Sequence, residues 1–417
     1  MHLQLQEPLL WTRAQKVAKE GRPKVLLPHG KQQRILYEAE LVSAAIVACH
    51  LVFYACLFRT MKAPEWSFCE AFYFCVVTFT TVGYGDYSPP LGFGGMVVAM
   101  VFIWSNVLVV SIVSGILGSR VAKGARCLGQ FWHQQTSAHL AILAVLFATM
   151  IVGSVIFEGR RWVDAYYFAV VSLSTVGYGR LAPGSHYTRA LACPVLLVWV
   201  TVAGEMINFL VGATREKIES AAWAHTRRKR VLVSLATVSA VVVLGGAVFR
   251  LAQAEDWSLL EGCYFSAVTL TTVGYGDYAP VANTTVKLLA SVYIGFGVVV
   301  ASVLLGYLGA EVEDDLLEIS RGRDPVVVNA LALLGLLFGG GVVFAWLESW
   351  TLVQGFYFTS VTLTTVGYGD LTPHSDVGRA LGIVLVILGV PTTASFVEAV
   401  SKRYAAALVE AIEKLDD

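Results

Sequence analysis

Long hydrophobic stretches alternate along the chain with shorter amphipathic segments, in an order that occurs four times. Each repeat has a first long apolar stretch, a short segment that opens at a tryptophan, and a second long apolar stretch. A helix of about 20 apolar residues spans the roughly 30 Å hydrocarbon core of a bilayer, and the short segments are below that length. The pattern therefore predicts eight membrane-spanning helices and four shorter helices that do not span.

The predicted elements have the following limits. The first spans run near 36–58, 138–158, 231–253 and 325–348. The second spans run near 93–118, 187–213, 285–310 and 376–400. The short segments open at Trp66, Trp162, Trp257 and Trp350. Because non-spanning backbone is tolerated at membrane depth only where protein or water satisfies it, each short segment predicts a re-entrant helix and loop.

A glycine motif follows each short segment. TTVGYGD occurs at 80–86, 271–277 and 364–370, and STVGYGR at 174–180. A Tyr-Phe pair precedes every copy, and a proline follows six residues after its first glycine. Self-similarity at this period indicates a tandem quadruplication. From each first glycine the repeats are expected to align without a gap into the second span.

The repeats divide the chain into six parts. We assign a basic segment to 1–34, the repeats to 35–125, 126–218, 219–320 and 321–403, and a short tail to 404–417. Lys and Arg dominate the first segment and the linkers after repeats 1 and 2, whereas the third linker is acidic. Basic loops favour the cytoplasm and acidic residues count little, so both termini are predicted to be cytoplasmic.

Composition narrows the function classes. Of the 417 residues, 56% are hydrophobic and 14% are charged, whereas soluble domains have roughly 25% charged residues. The formal net charge of zero argues against a nucleic-acid partner. The sequence has no arrangement of nucleophile, base or metal ligands that predicts an enzyme or a cofactor site.

The glycine motif suits a ring of oxygens around a dehydrated cation. Consecutive carbonyls can face one axis only if the backbone alternates between right- and left-handed regions, which glycine visits at little cost. The stretch from Glu261 to Asp277, EGCYFSAVTLTTVGYGD, resembles the pore module of the potassium channel superfamily, where four TVGYG loops form the selectivity filter. It is most similar in style to two-pore-domain and two-span channels, and the resemblance covers each repeat from first span to second.

The resemblance implies an all-α membrane protein in which eight transmembrane helices and four re-entrant pore helices form a pseudo-fourfold potassium-channel pore. It implies a plasma-membrane location, K+ as the permeant ion and no cofactor. Relatives assemble four one-pore chains or two two-pore chains, so a chain with four filters is expected to form its pore as a monomer.

The resemblance also implies the site residues. Filter carbonyls, and the hydroxyls of Thr81, Thr175, Thr272 and Thr365 at the inner end, would bind K+. The filter strands are Thr81, Val82, Gly83, Tyr84 and Gly85; Thr175, Val176, Gly177, Tyr178 and Gly179; Thr272, Val273, Gly274, Tyr275 and Gly276; and Thr365, Val366, Gly367, Tyr368 and Gly369. Gly297 and Gly389, near the middle of their spans, are candidate gating glycines.

Two positions break the fourfold pattern. Ser111, Glu205, Ser302 and Ser395 stand 28 residues after the first glycines and predict a polar ring in the cavity. A carboxylate within the membrane is costly unless it faces water or a partner. Inward-rectifying channels have an acid at a similar spacing, so the resemblance implies rectification and block by Mg2+ or polyamines at Glu205. The alternative is a carboxylate hydrogen-bonded between helices.

The second break is at the outer mouth, where Arg180 replaces the aspartate found at Asp86, Asp277 and Asp370. Arginine there either lowers conductance, since aspartates concentrate cations, or is neutralised locally, for instance by Asp164. The alternative to a channel is a potassium uptake transporter of the Trk/Ktr/HKT type, which also has four such repeats. Its filters usually keep one glycine per repeat, whereas all four are complete here.

Overall fold

The computed structural model describes residues 29–62, 64–124, 129–220, 227–252, 257–280, 283–319 and 324–414. Side chains are described in 38–39, 41–62, 64–116, 139–204, 206–207, 231–252, 257–280, 283–306 and 324–407. Most of the predicted basic segment 1–34, the side chain of Glu205 and much of the tail 404–417 lie outside these residues.

The described residues form twelve helices and no strand, so the all-α prediction is confirmed. The first helices of the repeats are α1 (His29–Met61), α4 (Gly129–Glu158), α7 (Arg227–Ala252) and α10 (Pro325–Leu347). The short pore helices are α2 (Phe68–Phe79), α5 (Trp162–Leu173), α8 (Leu259–Leu270) and α11 (Leu352–Leu363). The second helices, here called inner helices, are α3 (Phe93–Gly124), α6 (His186–Ser220), α9 (Thr284–Ile319) and α12 (Asp376–Lys414).

The eight long helices contain the eight predicted spans. Each includes a stretch of 19 to 32 residues that is long and apolar enough to cross a membrane. Large apolar side chains are exposed on these stretches, as at Phe296 and Trp346, where a bilayer would cover them. Helices α9 and α12 continue past the predicted limits of their spans, to Ile319 and Lys414.

Sequence-local capping explains where three pore helices begin. Ser67, Ser258 and Thr351 each accept a hydrogen bond from the backbone three residues on, and Glu70, Glu261 or Gln354 completes the capping box. Helix α5 follows Arg161 and has no side-chain cap.

The pore helices set the order of the repeats around the centre. Each pore helix packs on the inner helix of the following repeat: α2 on α6, α5 on α9, α8 on α12, and α11 on α3. The repeats therefore follow one another as 1, 2, 3, 4 and close back to 1. A tyrosine of each pore helix is buried at the centre of this packing, namely Tyr73, Tyr167, Tyr264 and Tyr357.

The inner helices do not share one register, which corrects the expected gapless alignment. Fully buried residues lie 16 and 20 positions after the first glycine in repeats 1 and 3, at Ala99, Ile103, Ala290 and Ile294. In repeats 2 and 4 the corresponding positions come one residue earlier, at Ala192, Leu196, Gly382 and Val386. One additional residue between filter and helix in repeats 1 and 3 accounts for the shift. The inner helices are therefore alike in diagonal pairs.

Candidate ion-binding site

The backbone of each glycine motif alternates as the carbonyl argument requires. Gly83 and Gly85 have φ of 51° and 72°, and the glycines of the other three motifs have φ between 52° and 77°. The threonines were not expected to join them, yet Thr81, Thr175, Thr272 and Thr365 have φ between 58° and 60°. A non-glycine residue in this region costs on the order of 1–3 kcal/mol, and such strain concentrates at functional sites.

Each motif is anchored to the end of its own pore helix. The backbone N–H groups of Val82 and Gly83 donate to the carbonyl of Val77, at 3.0 and 3.2 Å. The same pair of bonds reaches Val171, Val268 and Val361 in the other repeats. The strands therefore start at fixed positions below the ends of the four pore helices.

Close backbone approaches join the four strands into a ring. A Cβ atom added to Gly177 would lie 1.7 Å from the carbonyl oxygen of Val82, in the preceding repeat. A Cβ added to Gly274, Gly367 or Gly83 would likewise lie 1.6 to 1.7 Å from the valine carbonyl oxygen of the preceding repeat. A Cβ added to the second glycine of each motif would lie 2.0 Å from the tyrosine carbonyl oxygen of the preceding repeat. Glycine is thus required both by φ and by the neighbouring strand.

The filter tyrosines hold this ring from behind. The hydroxyl of each one bonds to a hydroxyl on the pore helix of the following repeat, which joins Tyr84 to Ser172, Tyr178 to Thr269, Tyr275 to Thr362 and Tyr368 to Thr78. Each tyrosine ring also stacks on a phenylalanine of that helix, with centroids 5.6 to 6.1 Å apart. The tyrosines are 4–5% exposed, so the packing behind the strands is nearly complete.

Two of the three aspartates after the filter accept a hydrogen bond from the buried tyrosine of their own pore helix. The hydroxyl of Tyr73 donates to Asp86 at 3.1 Å, and that of Tyr357 donates to Asp370 at 2.7 Å. Burial raises the pKa of the Asp86, Asp277 and Asp370 carboxyls above the ordinary value, although hydrogen bonds oppose the shift. Asp86 and Asp370 therefore tether the outer end of the filter as well as carrying charge.

Repeat 2 is built differently at this point. The Tyr167 side chain is 2% exposed, and its hydroxyl, like that of Tyr264 in repeat 3, has no hydrogen-bond partner among the described residues. The Nε atom of Arg180 instead lies 3.4 Å from the carbonyl oxygen of Gly276, in repeat 3. Local pairing of Arg180 with Asp164 is wrong, because that carboxylate pairs with Arg161 at 3.0 Å and Lys287 at 2.7 Å.

Ion pairs at the outer rim join neighbouring repeats, a feature the sequence argument missed. Glu70 pairs with Arg189 at 3.5 Å, Asp164 with Lys287 at 2.7 Å, and Glu261 with Arg379 at 3.2 Å. Each acid lies in a pore helix and each base near the start of the next inner helix. The sequence could have indicated these ion pairs, because a basic residue follows shortly after three of the four filters.

The fourth rim position has no ion pair among the described residues. Gln354 takes the place of the acid, and Met96 stands in α3 where Lys287 stands in α9. Trp104 of α3 donates to Ser360 of α11 at 3.2 Å, and Ser401 of α12 donates to the Ser111 carbonyl at 2.7 Å. The contact between repeats 4 and 1 therefore uses neutral hydrogen bonds.

Hydrogen bonds and backbone contacts set the pKa values of the rim acids. The pKa of Glu70 is lowered chiefly by the Ser67 backbone N–H, and that of Glu261 chiefly by the Tyr278 hydroxyl. The pKa of Asp164 is lowered chiefly by its hydrogen bond from Lys287. All three acids are thus held in the ionised form.

The predicted cavity residues do not form one ring. The register shift makes Ser111 equivalent to Ser302, and Glu205 equivalent to Ser395. Ser111 is fully buried where α3 meets α12, and its hydroxyl donates to the Val107 carbonyl at 2.6 Å, which contradicts a cavity-facing position. Gly115 permits this contact, because a Cβ there would lie 2.4 Å from the Ser401 carbonyl oxygen. Ser395 is also buried and Ser302 is half-buried, while the Glu205 side chain lies outside the described residues.

The two candidate gating glycines lie at equivalent places. A Cβ added to Gly297 would lie 2.6 Å from the Leu270 side chain, and one added to Gly389 would lie 2.1 Å from that of Leu363. Each leucine ends the pore helix of the same repeat. These glycines therefore let an inner helix pass close to the base of its own pore helix.

Comparisons with known proteins agree with this architecture. A family model described as an ion channel matches the chain four times, over residues 41–123, 140–215, 236–314 and 331–406. The matched ranges include every filter strand and parts of both flanking helices.

Individual relatives match a shorter part. Rice "Two pore potassium channel a" is 33% identical in an alignment of 161 residues that covers 33% of this chain and 46% of the relative. Human "Potassium channel subfamily K member 16" is 29% identical in an alignment of 154 residues that covers 32% of this chain and 50% of the relative. The chain thus spans about half the length of the curated relatives it matches.

Proposed function

Because the chain belongs to the ion channel family, we propose that it conducts K+ selectively and passively through one pore, built from its own four TVGYG strands. The observation that carries the proposal is the closed cyclic contact of the four strands, in which each glycine meets a carbonyl of the preceding repeat. Ion channels catalyse no chemical change, so the protein is not an enzyme. Its eight long apolar helices make it a multi-pass membrane protein.

Selectivity would come from the carbonyl oxygens of the ring. Oxygens that replace the hydration shell of K+ must be held at a suitable number and field strength, whether by size or by their dipoles. The tyrosine–hydroxyl bonds between repeats and the valine anchors support such a fixed arrangement. The threonine hydroxyls at the inner end of each strand would complete the lowest ion site. No cofactor takes part in this scheme, and K+ is the permeant ligand.

One chain supplies all four strands, so the proposed pore is a monomer in the plasma membrane with both termini in the cytoplasm. The positive-inside distribution of Lys and Arg supports this orientation. The names of the two rice relatives refer to two-pore potassium channels, and their matched stretches cover 33% and 40% of this four-repeat chain. We propose that this chain holds the equivalent of two such stretches in series.

Inward rectification is a further part of the proposal. Glu205 is one carboxylate in the middle of α6, where a charge is costly unless it faces water or cations. We propose that it attracts Mg2+ or polyamines from the cytoplasm. Glu205→Ser should then reduce block by internal spermine, with Ser302→Ala as the polar control in α9. Equal block in Glu205→Ser and the unmodified protein would reject this role.

A transporter of the Trk/Ktr/HKT type is the alternative, favoured only by the four repeats in one chain. Discrete unitary openings of the purified protein in a bilayer would exclude a carrier cycle. Gly177→Ala should abolish them, because a Cβ there would overlap the Val82 carbonyl. Gly92→Ala is the matched control, since a Cβ at Gly92 meets nothing within 4 Å. Slow uptake without unitary currents, in both variants, would favour the transporter.

A further inference from the structure

Repeat 2 ends its filter strand in an arginine, where the other three repeats have an aspartate. We propose that Arg180 is a tethered cation at the mouth of the filter, which competes with the permeant ion for the outermost carbonyl oxygens. This inference rests on the proposed K+ conduction, and it adds a residue that limits how the pore takes up ions.

The position of the guanidinium carries the argument. Its Nε atom lies 3.4 Å from the carbonyl oxygen of Gly276, the last residue of the TVGYG strand in repeat 3. That carbonyl is the outermost of its strand, so an ion that arrives from the mouth meets it first. A guanidinium stays charged at any working pH. The same oxygen therefore faces a protein cation that repels an arriving ion.

A second arginine, Arg160, binds the segment that follows the filter, so Arg180 is not needed for that contact. Arg160 donates from its two terminal nitrogens to the carbonyls of Leu181 and Ala182, at 3.1 and 2.6 Å. It also pairs with Glu158 and lies over the Phe168 ring at 4.6 Å. Arg160 thus holds the segment that follows the filter, as the tyrosine–aspartate bond does in repeats 1 and 4.

Arg180 forms no ion pair with a carboxylate among the described residues. Asp164 is engaged by Arg161 and Lys287. Behind the strand lies a small cavity lined by Arg180, Tyr84 and Tyr178, together with Tyr167. The equivalent tyrosine hydroxyl bonds to the aspartate in repeats 1 and 4, whereas the Tyr167 hydroxyl has no partner among the described residues. The polar contact that the guanidinium makes is the one to the filter carbonyl of Gly276.

Ionic strength gives this arrangement a distinct signature. A charge at an exposed mouth acts on arriving ions through a field that salt screens, with a Debye length of about 30 Å at 0.01 M and about 3 Å at 1 M. The Arg180 side chain is exposed. Its effect on ion uptake should therefore be large in dilute K+ and small in concentrated K+.

The test compares unitary K+ currents that enter from the mouth, in purified full-length protein. Arg180→Gln removes the charge and Arg180→Lys keeps it. Arg59→Gln is the control, because it removes one exposed charge from the last turn of α1, outside the filter strands. In ~10 mM K+ we expect about a twofold or greater increase for Arg180→Gln, shrinking towards none at ~1 M. Arg180→Lys and Arg59→Gln should stay close to the unmodified protein.

Equal currents for Arg180→Gln and the unmodified protein in dilute K+ would overturn the inference. If Arg180→Gln fails to fold, Arg180→Asp gives the second measurement, because the other three repeats have an aspartate at this position. It should raise the current further in dilute K+. A reversal potential that follows K+ in every variant, without a change in current, would reject only this inference. A reversal potential near zero in all of them would reject the proposed function itself.

Discussion

The hydroxyl of Tyr368, in the last filter strand, lies 2.6 Å from the hydroxyl of Thr78, in the first pore helix. These residues are 290 positions apart, and their bond is the closing member of a set of four between successive repeats. The ring therefore closes between the two repeats that no linker joins directly. The closing bond should matter for stability as much as the three bonds between consecutive repeats.

Thr78→Val tests this closure. The substitution keeps the shape of the side chain and leaves the buried Tyr368 hydroxyl without its partner, which costs on the order of 1–3 kcal/mol. We expect a lower melting temperature for the detergent-purified protein. Thr237→Val is the control, because that exposed hydroxyl bonds to the Val233 carbonyl of its own helix. An equal melting temperature for both variants would contradict the role of the closing bond.

The pore-helix tyrosines should respond unequally to loss of their hydroxyls. Tyr357→Phe removes the donor to Asp370 and should destabilise the protein by on the order of 1–3 kcal/mol. Tyr167→Phe removes a buried hydroxyl that has no partner among the described residues, so it should be neutral or stabilising. Thermal melts of the two variants provide the measurement. A larger loss for Tyr167→Phe would show that repeat 2 uses that hydroxyl after all.

The rim acid of repeat 3 should stabilise its contact with repeat 4. Glu261→Gln makes this contact resemble the one between repeats 4 and 1, where Gln354 stands naturally. The Glu261 and Arg379 side chains are partly exposed, so the loss should be about 1 kcal/mol or less and should shrink in high salt. Melting in low and high salt measures it. A loss that is equal in both would point to the cap of α8, not to the ion pair.

Acidification should protonate the aspartates after the filter before it protonates the acids of the rim ion pairs. Asp86, Asp277 and Asp370 have a pKa raised above the ordinary 3.8, so they begin to take up protons at a higher pH than a free aspartate does. Because their pKa is higher in the folded protein, this protonation does not lower the free energy of unfolding. Glu70, Asp164 and Glu261 have a lowered pKa. The stability that these acids contribute is fully present at a pH above the ordinary pKa, 4.5 for glutamate and 3.8 for aspartate. It is lost only as the pH falls through their lower pKa in the folded protein.

Currents in dilute K+ should therefore decline at a higher pH than the melting temperature does, since protonated aspartates no longer attract cations. Parallel titrations of unitary current and thermal stability check the order. A melting temperature that falls first would mean that the rim acids titrate before the mouth.

The sequence predicted the parts of this molecule that depend on local pattern. Hydropathy gave the eight spans, and the glycine motif gave the left-handed positions at Gly83 and Gly85. The left-handed threonines were not predicted, because nothing in the type of residue at Thr81 favours that conformation. It is imposed by the anchoring of Val82 and Gly83 to one carbonyl of the pore helix.

Contacts between repeats could not be predicted by comparing equivalent positions of the four repeats. Counting from the first glycine placed Ser111 and Ser395 at one level, but one additional residue before α3 and α9 shifts the inner helices in diagonal pairs. The partner of Asp164 was likewise expected within its own repeat. Asp164 pairs with Arg161 of its own repeat and also with Lys287 of the next one, since the pore helices pack across repeats.

The reversal potential of the purified chain in a bilayer tests the central claim most directly. With K+ on one side and Na+ on the other, four complete filter strands in one ring should place it close to the K+ equilibrium potential. Gly177→Ala protein should carry no such current, and Gly92→Ala protein should match the unmodified chain. A reversal potential near zero in the unmodified and Gly92→Ala proteins would contradict selective K+ conduction.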